Sequence, residues 1–161
     1  MRFMILRKAD AVTESGTLPG RDLLAAMGKY REDLMQAGVW RGGEGLLASV
    51  TGARLTFCGG RTSVTDGPFA ESKELIAGFL VLDVASIDEA IAWARRCPTL
   101  TGDGNVEIEV RQVIEATDFP DGLTAELSRM PWATVAAEAN RRLRSDRGNA
   151  ENATAGTLAL T

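Results

Sequence analysis

Histidine is absent from all 161 residues. That absence removes the Ser-His-Asp triad, the Cys-His dyad, the HExxH zinc helix and any imidazole proton shuttle, so catalysis here would have to use carboxylate, lysine, arginine, tyrosine or thiol. Cysteine is nearly as scarce. Cys58 and Cys97 stand far apart, without the short spacing of a zinc or redox motif, and read as free thiols that pack as small hydrophobes. No metal and no cofactor is expected. Long apolar runs are missing as well: in Met1-Arg2-Phe3-Met4-Ile5-Leu6-Arg7-Lys8 only Phe3 to Leu6 are uninterrupted before two cations arrive. That is too short for a signal h-region or a membrane span, and the expected location is the cytoplasm. The 18 basic residues are outnumbered by 22 acidic ones, a formal charge of -4, so nothing in the overall charge draws a polyanion and nucleic acid is not an expected partner.

What is present suits one domain with one core, since a chain of this length buries roughly 70% of its unfolded surface without a disulfide or metal. Residues 2 to 6 read as a buried first strand, and Ala9 to Gly20 as a loop rich in turn formers. From Asp22, the residues Leu23, Met27, Tyr30 and Leu34 recur at helical steps along one face, widened by Leu24 and Met35, until Gly38 supplies a stop. Gly42-Gly43-Glu44-Gly45 reads as a loop leading into a short strand at Leu46 to Val50, and is not a phosphate loop because no Gly-Lys-Ser/Thr follows. Ala53, Leu55 and Phe57 alternate with polar residues, and Gly59-Gly60 joins them to Arg61-Thr62-Ser63-Val64-Thr65 as a two-residue hairpin.

Gly78 to Val84 is nearly all apolar, as expected of a strand covered on both faces. Ser86 and Glu89 form a capping-box pattern, and Ile87, Ala90, Ile91 and Ala94 share the buried stripe of a helix that Pro98 ends. Across 105 to 114, Val106, Ile108 and Val110 alternate with Glu107, Glu109 and Arg111 as a half-exposed strand. The order strand, helix, strand, strand, helix, strand, with a hairpin added, predicts an α+β domain over residues 1–117 in which two helices cover one face of an antiparallel sheet. The other face must also be buried, and a second copy's sheet would do this, so a homodimer is expected. Residues 118–147 read as a helical extension, with Trp132, Val135, Ala136, Ala139 and Leu143 at helical spacing and Arg141, Arg142, Arg144 and Arg147 at its end. The segment 123–147 is a candidate surface for a protein partner. Residues 148–161 have little to bury and are expected to be disordered.

Between the hairpin and the apolar strand lies Thr65-Asp66-Gly67-Pro68-Phe69-Ala70-Glu71-Ser72-Lys73-Glu74. This segment resembles the signature of the DGPF-domain branch of the YCII-related proteins. The likeness extends over Gly38-Val39, Glu44-Gly45-Leu46, Asp88-Glu89-Ala90-Ile91, Cys97-Pro98 and Val106-Glu107-Ile108-Glu109-Val110-Arg111. It implies the ferredoxin-like dimeric α/β-barrel fold. It also implies a regulatory or accessory setting, because DGPF-domain proteins are commonly found beside, or fused to, sigma factors. Some YCII-related proteins carry a histidine and an aspartate in a pocket. This chain keeps Asp66 but has no histidine beside it, which turns the expectation away from enzymatic chemistry.

Two readings of Asp66 stand together. An aspartate before Gly-Pro can hold a turn by accepting backbone amides, and a half-buried carboxylate at a pocket mouth can act as a general acid or base. In the second reading Pro68 and Phe69 give the pocket an apolar wall, Lys73 neutralises a small anionic ligand, and Glu74 orients it or pairs with Arg111. Three functions are compatible with this pattern. They are a homodimeric small-molecule-binding or accessory protein with a pocket near Asp66, a cofactor-free enzyme doing proton transfer or lyase chemistry on a small anion, and a structural dimer that presents a helix to a partner such as a sigma factor.

Overall fold

The structure, a computed structural model, describes residues 1–70, 74–99, 105–120, 123, 125, 126, 129 and 130. Two units make up the chain, Met1–Val113 and Ile114–Thr161. The first contains strand β1 (Arg2–Lys8), helices α1 (Ala11–Glu14) and α2 (Arg21–Gln36), strands β2 (Trp40–Gly45), β3 (Ala53–Cys58), β4 (Arg61–Asp66) and β5 (Ile76–Asp83), helix α3 (Ile87–Ala94) and strand β6 (Ile108–Gln112). In the second, a short 3-10 turn at Ala116–Asp118 is closed by the Asp118 carboxylate accepting from the Glu115 amide at 2.7 Å. Most of the expected helical extension, and all of the expected tail, lie outside the described residues.

β2, β5, β1 and β6 form one antiparallel sheet in that order, so each crossover helix spans a strand that is inserted between its own two. This is the ferredoxin-like arrangement that the element order predicts. Alternation decides which face is buried. Phe3 and Ile5 of β1, and Leu80 and Leu82 of β5, point the same way and meet Tyr30 and Leu34 of α2 and Ala90 and Ala94 of α3. Leu34, Leu82 and Ala90 are fully enclosed. Met4, Leu6, Phe79 and Val81 occupy the alternate positions and are only half-buried, so β5 is covered on one face rather than the two expected.

Two of the three helix starts, those of α1 and α3, carry side-chain caps. Ser86 accepts the Glu89 amide at 3.2 Å, and the Glu89 carboxylate reaches back to the Ala85 amide at 2.8 Å, as the capping pattern predicts. α1 falls in a stretch expected to be loop. Asp10 and Thr13 cap it reciprocally, with the Thr13 amide 2.8 Å from Asp10 Oδ1 and the Asp10 amide 2.9 Å from Thr13 Oγ1. A second correction concerns the glycines after α2. The strand is Trp40–Gly45 itself, while Leu46 to Val50 is not a strand and runs into a 3-10 turn at Ser49–Thr51. A Cβ on Gly43 would lie 2.5 Å from the Phe79 carbonyl oxygen and 2.7 Å from Leu80 Cδ2. Glycine is needed because β5 approaches so closely.

The predicted hairpin is present and stands apart as its own two-stranded sheet. Gly59 and Gly60 both take positive φ, 54° and 75°, which the two-residue turn requires. Every residue of β3 and β4 is exposed, including Leu55 (54%), Phe57 (76%) and Val64 (63%). Leu55 sits directly opposite Val64, so these two side chains share a face.

Candidate functional site

A concavity lies where the N-terminal half of α2 and the loop before it face the ends of the central strands. Its volume is about 600 Å³. Leu23, Leu24 and Met27 from α2 face Ile5, Leu46 and Leu80 across an apolar wall. Gly28 also lines it, and a Cβ built there meets no heavy atom within 4 Å, so this helical position leaves space instead of filling it. Charge on the wall comes from Arg7 and Arg31, and Cys97 adds a thiol.

The two arginines are held differently. Arg7 donates from Nη2 to Asp10 Oδ2 at 2.8 Å, and from Nη1 to the Lys8 carbonyl at 3.3 Å. Burial works to raise the Asp10 carboxyl, but the Thr13 hydrogen bonds and the Arg7 guanidinium outweigh it and hold the group below the ordinary carboxylate value. Arg31 donates from Nη2 to the Gly43 carbonyl at 3.3 Å, and its guanidinium carbon lies 5.5 Å from the centre of the Trp40 ring. Its Nε is buried with no hydrogen-bond partner, and no carboxylate among the described residues pairs with it. Burial pushes the Cys97 thiol up, against the pull of Arg7, which keeps it protonated and weakly nucleophilic at neutral pH.

The signature segment does different work. Gly67 donates its amide to the Gly52 carbonyl at 3.0 Å, and any Cβ at Gly67 would land on the Ser49 carbonyl. The Phe69 amide donates to Ser49 Oγ at 3.2 Å, and Ser49 Oγ in turn donates to Glu14 Oε2 at 2.5 Å. Above this, the Arg54 guanidinium stacks 4.4 Å from the Phe69 ring centre. Gly67 and Phe69 thus fasten the base of the hairpin to the Ser49–Thr51 turn, and Glu14 of α1 anchors that turn.

A family model for the YCII-related domain matches residues 1–117. The chain belongs to the YCII-related family. Among relatives, an uncharacterized protein of Rhizobium meliloti (strain 1021) is 44% identical over 75 residues, which is 47% of this chain and 57% of that protein; the match therefore spans little more than half of the relative's length. Among solved structures, 5-chloro-2-hydroxyhydroquinone dehydrochlorinase from Burkholderia phenoliruptrix AC1100, in complex with 2,5-dihydroxybenzoquinone, is 18% identical with a TM-score of 0.42, covering 74% of this chain and 100% of that one.

Within this YCII-related chain the residues expected to form a site are dispersed. Asp66 ends β4 opposite Ala53, is exposed, and makes no side-chain hydrogen bond among the described residues. Pro68 and Glu74 are exposed, and Phe69 packs under Arg54 instead of walling a pocket. Arg111 lies on the edge strand β6 with Glu109 Oε1 at 3.7 Å, so its ionic partner is Glu109 and not the expected Glu74. Lys73 lies outside the described residues. Among the described residues, none of Asp66, Pro68, Phe69, Glu74 and Arg111 lines the cavity. Nor do the described residues contain a cluster able to hold a metal ion, or a helix long and apolar enough to cross a membrane. Arg31 and Cys97 were not singled out in the sequence as site residues. The available signal was on α2, where Leu24, Gly28 and Arg31 form a stripe beside the buried one that places a small residue and a cation next to an exposed leucine.

Proposed function

We propose that this YCII-related protein binds a small organic molecule in the cavity between α2 and the sheet, and that it does so as a homodimer. The cavity itself carries the reading. Its volume of about 600 Å³, its apolar lining and its few polar groups match the character of small-molecule sites. This reading puts the site on α2 and the strand ends, and not at Asp66. Asp66 is exposed and does not line the cavity, so binding is favoured over cofactor-free catalysis by that carboxylate.

The second copy is supported by apolar surface. Met4, Leu6 and Val81 leave the sheet face opposite the helices half-covered, and Leu55, Phe57 and Val64 project from the hairpin. A partner protomer would cover what this chain does not. The family resemblance adds a cytoplasmic accessory role alongside a protein such as a sigma factor, met through residues 123–147.

A thermal-shift screen of small organic metabolites on the wild type and on Gly28→Leu tests the cavity. Compounds that raise the wild-type melting temperature should lose that effect when leucine fills the space beside Met27. Absence of any stabilising compound, or stabilisation that survives the substitution, refutes the cavity as the site. Light scattering on the full chain tests the dimer. The expected mass is twice 17.2 kDa, and Phe57→Asp should lower it towards that of one chain.

A further inference from the structure

We propose that the cavity selects a compact organic monoanion, above all a carboxylate on an apolar body, with Arg31 as the group that receives the charge. This rests on the cavity being the binding site, and it goes further by naming the chemistry of what enters.

Arg31 differs from the other charged group on the wall. Asp10 already answers Arg7 at 2.8 Å. Arg31 has five N–H donors in a rigid fork, one of which meets the Gly43 carbonyl. No carboxylate of the described residues reaches the rest, and the Trp40 ring provides the other contact. A half-buried guanidinium with no counter-ion is unfavourable in itself, and an entering carboxylate would convert that deficit into charge-assisted hydrogen bonds. The Gly43 and Trp40 contacts fix the guanidinium beforehand, so little side-chain freedom is lost when the ligand arrives.

The rest of the wall limits what the anion is attached to. Leu23, Leu24, Met27, Leu46 and Leu80 offer no hydrogen bonds from their side chains, which selects an apolar body. Arg7, the other arginine on the wall, already holds Asp10 at 2.8 Å. A second negative group on the ligand would therefore meet no second receiving cation there, so a monoanion is preferred over a dicarboxylate or a phosphate.

The test uses matched probes on the full chain, benzoate against benzyl alcohol and hexanoate against 1-hexanol, titrated by NMR chemical shift. The wild type should prefer each carboxylate over its neutral partner by about tenfold or more, the factor expected of hydrogen bonds to a charged group. Arg31→Gln should abolish the preference while the alcohols still bind, which also shows that the variant is folded. Arg31→Lys should keep part of it, retaining charge without the planar fork. Arg61→Gln, on the exposed hairpin, should change nothing. Equal binding of acid and alcohol by the wild type, or a preference that survives Arg31→Gln, overturns the assignment to Arg31 and leaves the cavity as a neutral-ligand site. Should Arg31→Gln bind neither member of a pair, Arg31→Lys decides, and no preference there also overturns it. Failure of all four probes to bind the wild type overturns the cavity reading as well.

Discussion

Gly67→Ala is the sharpest perturbation available, because a single methyl group meets backbone that cannot swing aside. The new Cβ would coincide with the Ser49 carbonyl oxygen and crowd the carbonyl carbon behind it. Relief requires the hairpin base and the Ser49–Thr51 turn to separate, which removes the bond from the Gly67 amide to Gly52 and the one from the Phe69 amide to Ser49 Oγ. Each is worth about 1 kcal/mol net, and the Arg54 stack on Phe69 adds about 0.5 to 1 kcal/mol at an exposed site. The expected loss is therefore about 2 to 3 kcal/mol. It is capped by the free energy of docking, since the chain can release the hairpin base and keep the core of Phe3, Ile5, Leu34 and Leu82 intact. Urea unfolding should show the lower stability with an unchanged slope, because hardly any additional surface is buried or exposed. Hydrogen exchange should find the Gly67 and Phe69 amides close to unprotected while β1 and β5 stay protected. Wild-type protection at Gly67 and Phe69 would refute the docking argument, and so would complete unfolding of the sheet.

Three further outcomes follow from other contacts. Glu14→Ala leaves the Ser49 amide and hydroxyl without their acceptor, so it should cost about 1.5 to 3 kcal/mol in urea unfolding and add less than its full effect to Gly67→Ala, since both act through Ser49; an additive double mutant would contradict the shared anchor. Burial works to raise the Asp83 carboxyl, but hydrogen bonds from Arg41 at 3.0 Å and the N-terminal amine at 3.2 Å outweigh it, so its folded value lies below the ordinary one. Its contribution is then complete above the ordinary carboxylate pKa of about 4 and is lost as pH falls through the folded value; Asp83→Asn should flatten the acid limb of the stability profile, and a limb of unchanged steepness would argue against it. Ellman's reagent should modify exposed Cys58 well before Cys97, whose thiol burial keeps protonated, and equal rates would refute that placement.

The sequence patterns that proved legible were local ones. Alternation around Leu55 and Val64, with two glycines between, specified the hairpin, and the Ser86–Glu89 pair specified the start of α3. The stripe from Leu23 to Leu34 placed α2 and half of the core. The glycines of β2 were misread because their demand comes from Phe79 and Leu80, more than thirty positions away, and nothing nearby records how closely those atoms approach. Asp66, Gly67, Pro68 and Phe69 were recognisable as a distinctive segment. Their task was not legible, since the acceptors at Ser49 and Gly52 lie outside the segment and only folding brings them under it. Arg31 was hidden for a related reason. An arginine on a helix reads as solvated until the cavity beside it is visible.

The hairpin leaves and rejoins the sheet at one point. β2 ends at Gly45, which is paired with Gly78, and the next amide, that of Leu46, bonds to the Ala77 carbonyl, so the chain departs and returns at the same rung of the ladder. An excursion of that kind can be lengthened, shortened or rewritten at its tip without changing the spacing of any core strand. The Gly59–Gly60 turn is accordingly a ready port for a grafted peptide or a fluorescent reporter.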